Sequence, residues 1–202
     1  MGENKLSIAA YWNEVFRKES PYSELHEPSD IIKAIVRIKQ AGAVLDLGVG
    51  NSEDTLYLAT KGFDVAGVDI SEVGISLFKE SAKSLGVEVK GIVGDMARFK
   101  FDRKYDVILS LASLNLITRD EASDLIQRVM DNTEDYGLNV ITVFTELDPL
   151  EGAFFLFEHD ELRNLYSEWE IISYNEYTTP IHEHENWPPH RHTNAELLAQ
   201  KV

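Results

Sequence analysis

Residues 44–59, VLDLGVGNSEDTLYLA, contain two closely spaced glycines and three carboxylates. A short apolar run is followed by Gly48 and Gly50 and then by a predicted helix start. Glycines permit a tight turn and let backbone N–H groups approach a ligand closely. The third glycine of the dinucleotide fingerprint is replaced by Glu53, and Asp54 follows it. Because carboxylates here would repel a pyrophosphate, the loop favours a ligand without phosphate and argues against a nicotinamide dinucleotide.

Two further acids end the next two predicted strands. Asp69 lies about 20 residues after the glycines, where an acid typically hydrogen-bonds ribose hydroxyls. Asp95 is placed to accept a hydrogen bond from the exocyclic amine of an adenine, with Met96 beside the ring. Together with Asp46 these acids predict a cationic adenosine ligand, and S-adenosylmethionine (SAM) has a ribose, an adenine, an ammonium and a sulfonium. The alternative interpretation is that they are caps and turn residues of an ordinary α/β domain.

Strand and helix patterns alternate along the chain around these residues. The predicted strands are 43–47, 63–69, 87–95, 105–113, 138–146, 170–176 and 194–202. Amphipathic segments between them predict helices, with Ser52 (or Asn51) and Ser71 as caps and a capping box at Thr118 and Glu121. Gly137 is predicted to end the last of these helical units. The alternation predicts an α/β fold with a parallel sheet, in one domain over residues 1–202.

The segments VLDLGVGNS, VAGVDIS, VGDM and YDVILSLASLNLI resemble the successive motifs of class I SAM-dependent methyltransferases, over residues 43–117. The resemblance implies a Rossmann-like, seven-stranded, mostly parallel sheet with helices on both faces, whose last strand, NAELLAQKV, inserts antiparallel. It also implies a position for each part of SAM: methionine at the glycines, ribose at Asp69, adenine at Asp95. The implied cofactor-binding residues are Asp46, Gly48, Gly50, Asp69, Ile70, Asp95, Met96 and Ser110.

Several properties of the chain disfavour macromolecular partners. Methyltransferases with amine targets often carry an Asn/Asp-Pro-Pro-Tyr/Phe motif after the fourth strand, whereas this chain has SLNL at 113–116. A formal net charge of −16 repels phosphate backbones and anionic membranes, so we expect neither nucleic acid nor membrane as a partner. No run approaches the roughly 18 apolar residues of a membrane helix, and we expect a cytoplasmic protein.

The absence of cysteine excludes thiolate catalysis and cysteine-ligated metals.

The C-terminal third, AFFLFEHDELRNLYSEWEIISYNE followed by His182, Arg191 and LLAQKV, resembles the TehB-type tellurite-resistance methyltransferases. The resemblance implies methyl transfer from SAM to a small chalcogen oxyanion, such as tellurite or selenite, or to another small soft nucleophile. It also implies that the loop before the final strand faces the methyl group. Where the TehB pattern has an arginine after the loop histidine, this chain has Glu183. A small organic hydroxyl, amine or thiol is an alternative acceptor, and a non-catalytic SAM-binding domain is an alternative of another class.

Residues 181–192, IHEHENWPPHRH, hold four of the six histidines. Three interpretations compete: a metal site on the i, i+2 histidine pairs, a solvated loop, and a grip on the substrate. Methyl transfer from a sulfonium needs no Lewis acid, so we predict no metal. For a substrate grip, Arg191 would hold an oxyanion, and His182 would act as the base for an O–H or N–H acceptor. Helices predicted over residues 6–40 could additionally form a lid over SAM.

Overall fold

A computed structural model describes residues 2–145, 155–184 and 187–202. The helices are α1 (Gly2–Phe16), α2 (Asp30–Ile38), α3 (Glu53–Thr60), α4 (Glu72–Ser84), α5 (Arg119–Asp131) and α6 (Glu161–Leu165). Two 3-10 helices span Met96–Arg98 and Leu114–Leu116. The strands are β1 (Ala43–Leu47), β2 (Asp64–Asp69), β3 (Lys90–Val93), β4 (Tyr105–Leu111), β5 (Thr133–Phe144), β6 (Glu170–Thr178), β7 (His182–His184), β8 (Trp187–His190) and β9 (Thr193–Gln200). No helix among these residues combines the length and apolarity of a membrane span.

Seven strands form one sheet in the order β3-β2-β1-β4-β5-β9-β6. The five strands β1 to β5 pair in parallel. Strand β9 is antiparallel to both of its neighbours, with Leu138 opposite Gln200 on the β5 side and Glu170 opposite Gln200 on the β6 side. The fold class and the antiparallel insertion of the last sheet strand are therefore confirmed. Strands β7 and β8 form a separate two-stranded hairpin.

Helices cover both faces of the sheet because successive strand side chains point to opposite sides. In β4, Val107 and Leu109 face the apolar layer that contains helices α2, α3 and α4. Ile108 faces the other layer, which contains α5 and α6. The strands are apolar on both faces, which is typical of a parallel sheet covered on both sides.

The caps that the sequence predicts are present in the structure. The side chain of Ser52 accepts from the N–H of Thr55 at the start of α3, and Ser71 does the same for Gly74 at the start of α4. Thr118 and Glu121 form the complete capping box of α5. These hydrogen bonds satisfy N–H groups that have no partner within the helix, which fixes where each helix begins.

Gly137 does not end the unit that contains α5, contrary to the prediction. Helix α5 ends at Asp131, and β5 already begins at Thr133. The register of β5 against β4 shifts between the Tyr105/Thr133 and Val107/Leu138 pairs, and Gly137 lies within that irregularity. A Cβ atom on Gly137 would come 2.6 Å from Thr133 Cγ2, so the glycine allows a tight bend of the strand onto itself.

A buried chain of polar groups connects α5, β5 and the residue that follows α6. The Tyr166 hydroxyl donates to Asn139 Oδ1 at 3.0 Å, and Asn139 Nδ2 donates to Thr133 Oγ1 at 2.8 Å. Thr133 Oγ1 in turn donates to the carbonyl of Val129 at 2.7 Å. Tyr166, Asn139 and Thr133 have no exposed surface. Since buried polar groups are costly without partners, this chain of hydrogen bonds selects one packing of the helices on the sheet.

Removing the Tyr166 hydroxyl tests this contribution. In Tyr166→Phe the oxygen of Asn139 stays buried and loses its donor, so we expect the free energy of unfolding in urea to fall by about 1–3 kcal/mol. Tyr136→Phe removes the same hydroxyl from a side chain that is 67% exposed, and we expect a change below about 0.5 kcal/mol. Equal unfolding free energies for the two variants would contradict the assigned role of the network.

Candidate active site

The chain bends sharply after β1 and runs against the end of β2. The N–H groups of Gly48 and Val49 both donate to the carbonyl of Val68, at 2.8 and 3.0 Å. Gly48 has a φ of 87°, and a Cβ atom there would lie 2.3 Å from the Cβ of Ser113. Both the left-handed backbone and the close contact therefore require glycine at this position.

The carboxylate of Asp69 connects this bend to the start of α4. Asp69 Oδ2 accepts from the N–H of Gly50, and Oδ1 accepts from the N–H of Ser71, both at 2.8 Å. Burial raises the pKa of Asp69 above its ordinary value, although these N–H groups act in the opposite direction. Asp69 is therefore held in one orientation at the carboxyl end of β2, as the sequence predicts for a ribose-binding acid.

Asp95 caps the 3-10 helix that follows β3. Its Oδ1 accepts from the N–H of Ala97 at 3.0 Å, and its Oδ2 lies 3.7 Å from Nε of Arg98. Arg128 of α5 braces the same turn, donating to the carbonyls of Ala97 at 2.6 Å and Phe99 at 2.8 Å. The turn that presents Asp95 is therefore held by a guanidinium on the neighbouring helix, which sequence spacing gives no means of finding.

A cavity of about 210 Å³ opens where these loops meet. Its wall consists of Ile8, Trp12, Phe16, Gly48, Gly50, Asp69, Ile70, Gly94, Asp95, Met96, Leu111, Ala112, Ser113, Leu116 and Ile117. Six of the eight residues predicted for cofactor binding belong to it: Gly48, Gly50, Asp69, Ile70, Asp95 and Met96. Among the described residues of the wall, the only charged side chains are two carboxylates. The cavity therefore suits a cationic or uncharged ligand and not a phosphate.

Asp46 lies behind the wall of the cavity. It is 1% exposed and accepts a hydrogen bond from the Thr55 hydroxyl, while its Oδ1 has no partner among the described residues. Burial raises the pKa of Asp46 to about 7, and the negative charges of Asp69 and Asp54 add to this, against the hydrogen bond from Thr55. Asp46 is therefore buried behind the wall, whereas the sequence analysis expects it to contact the ligand directly.

Ser110 also lies behind the wall, 1% exposed. Its Oγ is hydrogen-bonded at 2.8 Å to Oγ of Ser113, and Ser113 donates to the carbonyl of Leu47 at 2.6 Å. Ser113 lines the cavity and is the serine that the sequence reasoning missed. The chain turns at Ala112, which has a φ of 55°, so the serine beyond the strand faces the cavity instead of the one within it.

Helix α1 closes one side of the cavity. Ile8, Trp12 and Phe16 contribute to the wall, and the rings of Trp12 and Phe16 stack with centroids 5.7 Å apart. Asn13 Oδ1 accepts from the hydroxyl of Ser71 at 2.6 Å and from the N–H of Val73 at 3.3 Å, which fixes α1 to the start of α4.

Helix α2, in contrast, lies in the core layer through Ile31, Ile32 and Ile35. Within the predicted lid of residues 6–40, α1 is therefore the part that borders the cavity. Tyr11 is 57% exposed and Tyr22 packs against the core, so neither belongs to the wall among the described residues.

Glu53 and Asp54 hold the connection between α1 and α2 and do not line the cavity. Glu53 Oε1 is 2.9 Å from Nδ1 of His26 and also accepts from the His26 N–H at 3.2 Å. Asp54 accepts from the N–H and the hydroxyl of Ser29, at 3.0 and 2.8 Å. The sequence places these carboxylates in the crevice, whereas the structure turns them toward a loop that lies 25 to 27 residues earlier.

In sequence the β7–β8 hairpin connects β6 to β9. It therefore follows the end of β6, at the sheet edge where β1, β2 and β4 end. Its register places His182 opposite His190. Arg191 is exposed and outside the described cavity wall, and the ring of His192 packs 4.7 Å from that of Phe144. The side chains of His182, His184 and His190 lie outside the described residues, so their roles in metal binding or catalysis stay predictions.

A second group of polar side chains lies beside α6. His159, Asp160 and Glu176 bring three potential ligand atoms within 4.8 Å of one another. Glu176 already accepts from the Tyr174 hydroxyl and the Asp160 N–H and pairs with His159 at 2.6 Å. Burial raises the pKa of Glu176, but these partners outweigh burial and leave it below its ordinary value. The carboxylate is thus satisfied by protein groups, and we assign no metal here.

Comparisons with known proteins agree with this geometry. The family described as "Tellurite resistance protein TehB" matches residues 11–188, so the chain belongs to the TehB family. A relative from Haemophilus influenzae, "Probable S-adenosyl-L-methionine-dependent methyltransferase TehB", is 28% identical over 191 residues, which cover 92% of this chain and 65% of the relative. The chain thus spans about two thirds of that relative's length. The family predicted from the motifs is confirmed.

Solved structures support the same fold. The crystal structure of TehB from Haemophilus influenzae has a TM-score of 0.78 and 26% identity, covering 86% of this chain and 62% of that one. A magnesium protoporphyrin IX methyltransferase from Synechocystis with bound S-adenosylhomocysteine (SAH) has a TM-score of 0.71 and 15% identity, covering 98% and 100%. The second similarity shows the fold alone.

The raised pKa of Asp46 predicts a specific dependence of stability on pH. In the unfolded chain Asp46 ionises near its ordinary pKa, whereas the folded protein keeps it protonated up to about pH 7. Its contribution to stability is therefore complete below the unfolded pKa and is lost as pH rises through the folded pKa, by roughly 4 kcal/mol in total. Because Asp46→Asn cannot ionise, we expect its free energy of unfolding to rise by a similar amount relative to that of wild type as the pH increases from about 4 to about 7. A difference in unfolding free energy that is constant across this range would contradict the assignment.

Proposed function

We propose that this chain is an enzyme that transfers the methyl group of SAM to a small-molecule acceptor, with a small soft nucleophile as the acceptor class. The observation that supports this most strongly is the cavity, where a glycine bend and two carboxylates surround a space without a cationic wall residue among those described. The carboxylates supply acceptors and negative charge for an adenosine that carries a sulfonium and an ammonium.

Each part of the proposed cofactor site has a physical basis. Gly48 and Gly50 leave space for the methionine part, since a side chain on either would strike a neighbouring residue. Asp69 is oriented to accept from ribose hydroxyls, and Asp95, beside Met96, from the adenine amine. Ser110 acts from behind the wall through Ser113, and Asp46 is hydrogen-bonded behind the wall by the buried Thr55 hydroxyl. Six of the eight predicted residues would therefore contact SAM, and the other two, Asp46 and Ser110, would stabilise the wall from behind.

The main catalytic contribution of the site is to position the acceptor relative to the methyl group of SAM. SAM, when bound, supplies a methyl carbon made electrophilic by the adjacent sulfonium. The protein has to hold the acceptor in line with that carbon and exclude water, and good alignment alone is worth up to about 7–11 kcal/mol of the barrier. Ile8 and Trp12 of α1 and the apolar residues after β4 enclose the space in which this alignment would occur.

A chalcogen oxyanion is the second candidate acceptor. The family description refers to tellurite resistance, and the hairpin that carries Arg191 and His182 lies at the sheet edge where the cavity opens. For this candidate Arg191 would orient the oxygens of selenite or tellurite. We then expect Arg191→Ala to lower turnover with selenite at least about tenfold while the Kd for SAM stays within about twofold. Equal loss of turnover and of SAM affinity would instead assign the hairpin to cofactor binding or folding.

Calorimetry tests the cofactor proposal. We expect the protein to bind SAM and SAH and not NAD, because the wall lacks groups for a pyrophosphate. Asp95→Asn should weaken SAM binding roughly tenfold, since a charged hydrogen-bond partner of the adenine is lost. Asp135→Asn makes the same change on the exposed part of β5 and should leave the Kd unchanged. Binding of NAD alone, or equal effects of both variants, would overturn the proposal.

A further inference from the structure

We propose that Asn115 is a positioning residue, which holds the acceptor side of the active site in a fixed place relative to the cofactor cavity. The inference rests on the proposed methyltransferase function and extends it to a residue outside the described cavity wall. The observation that carries it is a buried side-chain amide that bonds to the end of β5, while the two residues that follow it in the chain, Leu116 and Ile117, line the cavity.

The amide of Asn115 takes the place of a missing strand neighbour. Strand β4 pairs with β5 as far as Leu111 and Thr142, and the chain then turns away at Ala112. Phe144, the last residue of β5, therefore lies beyond the last pair with β4. Asn115 Oδ1 accepts from the N–H of Phe144 at 2.8 Å, and Asn115 Nδ2 donates to its carbonyl at 3.0 Å. Since a side-chain amide offers the same donor and acceptor as a peptide group, Asn115 continues the hydrogen bonding where the strand ends.

The same amide also holds a third segment. Asn115 Nδ2 donates to the carbonyl of Phe155, and the N–H of Phe157 donates to the carbonyl of Phe144 at 3.1 Å. The Asn115 side chain thus bonds to the backbone of two segments, and the residue is 2% exposed. Buried N–H and C=O groups are costly to leave without partners, so we expect an apolar residue at position 115 to displace these segments.

Asn115 is also fixed relative to the cofactor cavity. Ser113, Leu116 and Ile117 belong to the cavity wall, and the N–H of Leu116 donates to the carbonyl of Ser113 at 3.0 Å across the same 3-10 turn. Leu114 in this turn is 1% exposed and packs in the core. Residues on both sides of Asn115 in the chain therefore connect it to the wall.

Phe144 carries the connection to the end of the hairpin. Its ring packs against the imidazole of His192, with the ring centroids 4.7 Å apart. The N–H of Thr145 donates to the carbonyl of Thr193 at 2.9 Å, which attaches the same strand end to the residue after His192. His192 directly follows Arg191, the candidate grip for an oxyanion. A continuous set of contacts thus leads from the cavity wall through the side-chain amide and Phe144 to the end of the hairpin.

This connection matters for methyl transfer because the acceptor must lie in line with the methyl carbon. A displacement of about 1 Å that arises away from the chemistry can lower the rate about a hundredfold. In the proposed site the loops after β1 to β3 hold the cofactor, whereas the contacts to an oxyanion come from the hairpin. Asn115 joins these two parts, so its loss should lower kcat while SAM still binds.

The first test compares Asn115→Leu with Tyr166→Phe in the full chain, with SAM and selenite. Asn115→Leu removes the amide at similar size, and we expect kcat to fall at least about tenfold while the Kd for SAM stays within about threefold. Tyr166→Phe also removes a buried hydrogen bond but lies outside the described cavity wall, and it should keep kcat within about twofold. A parallel loss of kcat and SAM affinity in Asn115→Leu, or an equal loss of kcat in both variants, would overturn the inference.

A second variant tests the link to the hairpin. Phe144→Leu removes the ring that contacts His192 and leaves the backbone hydrogen bonds to Asn115 in place. If both side chains act through one connection, the double variant Asn115→Leu/Phe144→Leu should lower kcat by much less than the product of the single effects. Single effects that multiply fully would show that Asn115 and the hairpin act independently, which contradicts the proposed role.

Histidine NMR provides a measurement that does not depend on the acceptor. The imidazole signal of His192, assigned by its loss in His192→Gln, reports the neighbouring ring of Phe144. We expect this signal to move in Asn115→Leu and to keep its place in Tyr166→Phe. An unmoved signal in Asn115→Leu would overturn the inference even if selenite is not turned over. Failure of the wild-type chain to bind SAM would instead overturn the proposed function.

Discussion

The site depends on a bend of the backbone after β1 that has no room for side chains. Ser113 lies against Gly48 on one side, and Phe16 lies against Gly50 on the other. Asp69 then holds the N–H of Gly50 and so connects the bend to the loop after β2. One carboxylate and two glycines thus fix how three loops meet, and the cavity is the space that remains between them.

Hydrogen bonds within and behind the wall attach the cavity to the sheet. Ser113 is bonded to β1 through Leu47 and to β4 through Ser110. Arg128 braces the turn after β3 from α5. Helix α1 differs, because it adds apolar side chains to the wall and is attached to α4 through Asn13. The part of the wall that follows the strands is therefore built on the sheet, and the part that α1 contributes depends on a helix outside the sheet.

Sequence reasoning predicted the features that depend on neighbouring residues. The caps at Ser52 and Ser71 and the box at Thr118 were found because each involves a partner three residues away. The order and type of the seven sheet strands and of the main helices followed from their periodicity, whereas β7 and β8 lie in a segment predicted as a loop. Gly48, Gly50, Asp69 and Asp95, with its neighbour Met96, followed from glycine and acid positions at strand ends, because parallel strands bring those ends to one edge. Ile70 followed from the family resemblance.

The features that were missed depend on distant partners or on the local path of the backbone. Glu53 was placed in the crevice because its partner, His26, is 27 residues away and no spacing rule connects them. Ser113, and not Ser110, faces the cavity because the chain turns at Ala112, which has a φ of 55°. Gly137 looked like a helix stop, but pairing with β4 draws it into β5. Each miss reflects a tertiary contact that outweighed a local pattern.

The central place of β9 has a consequence for synthesis on the ribosome. Strand β9 is the last of the described strands to be made, yet it lies between β5 and β6 and is the only sheet neighbour of β6. Until residues 193–200 emerge, the apolar β5 presents an open edge, and β6 has nothing to pair with. Nascent chains therefore pass through a stage in which a half-built sheet is exposed to other proteins, and chaperone binding should be strongest in that interval.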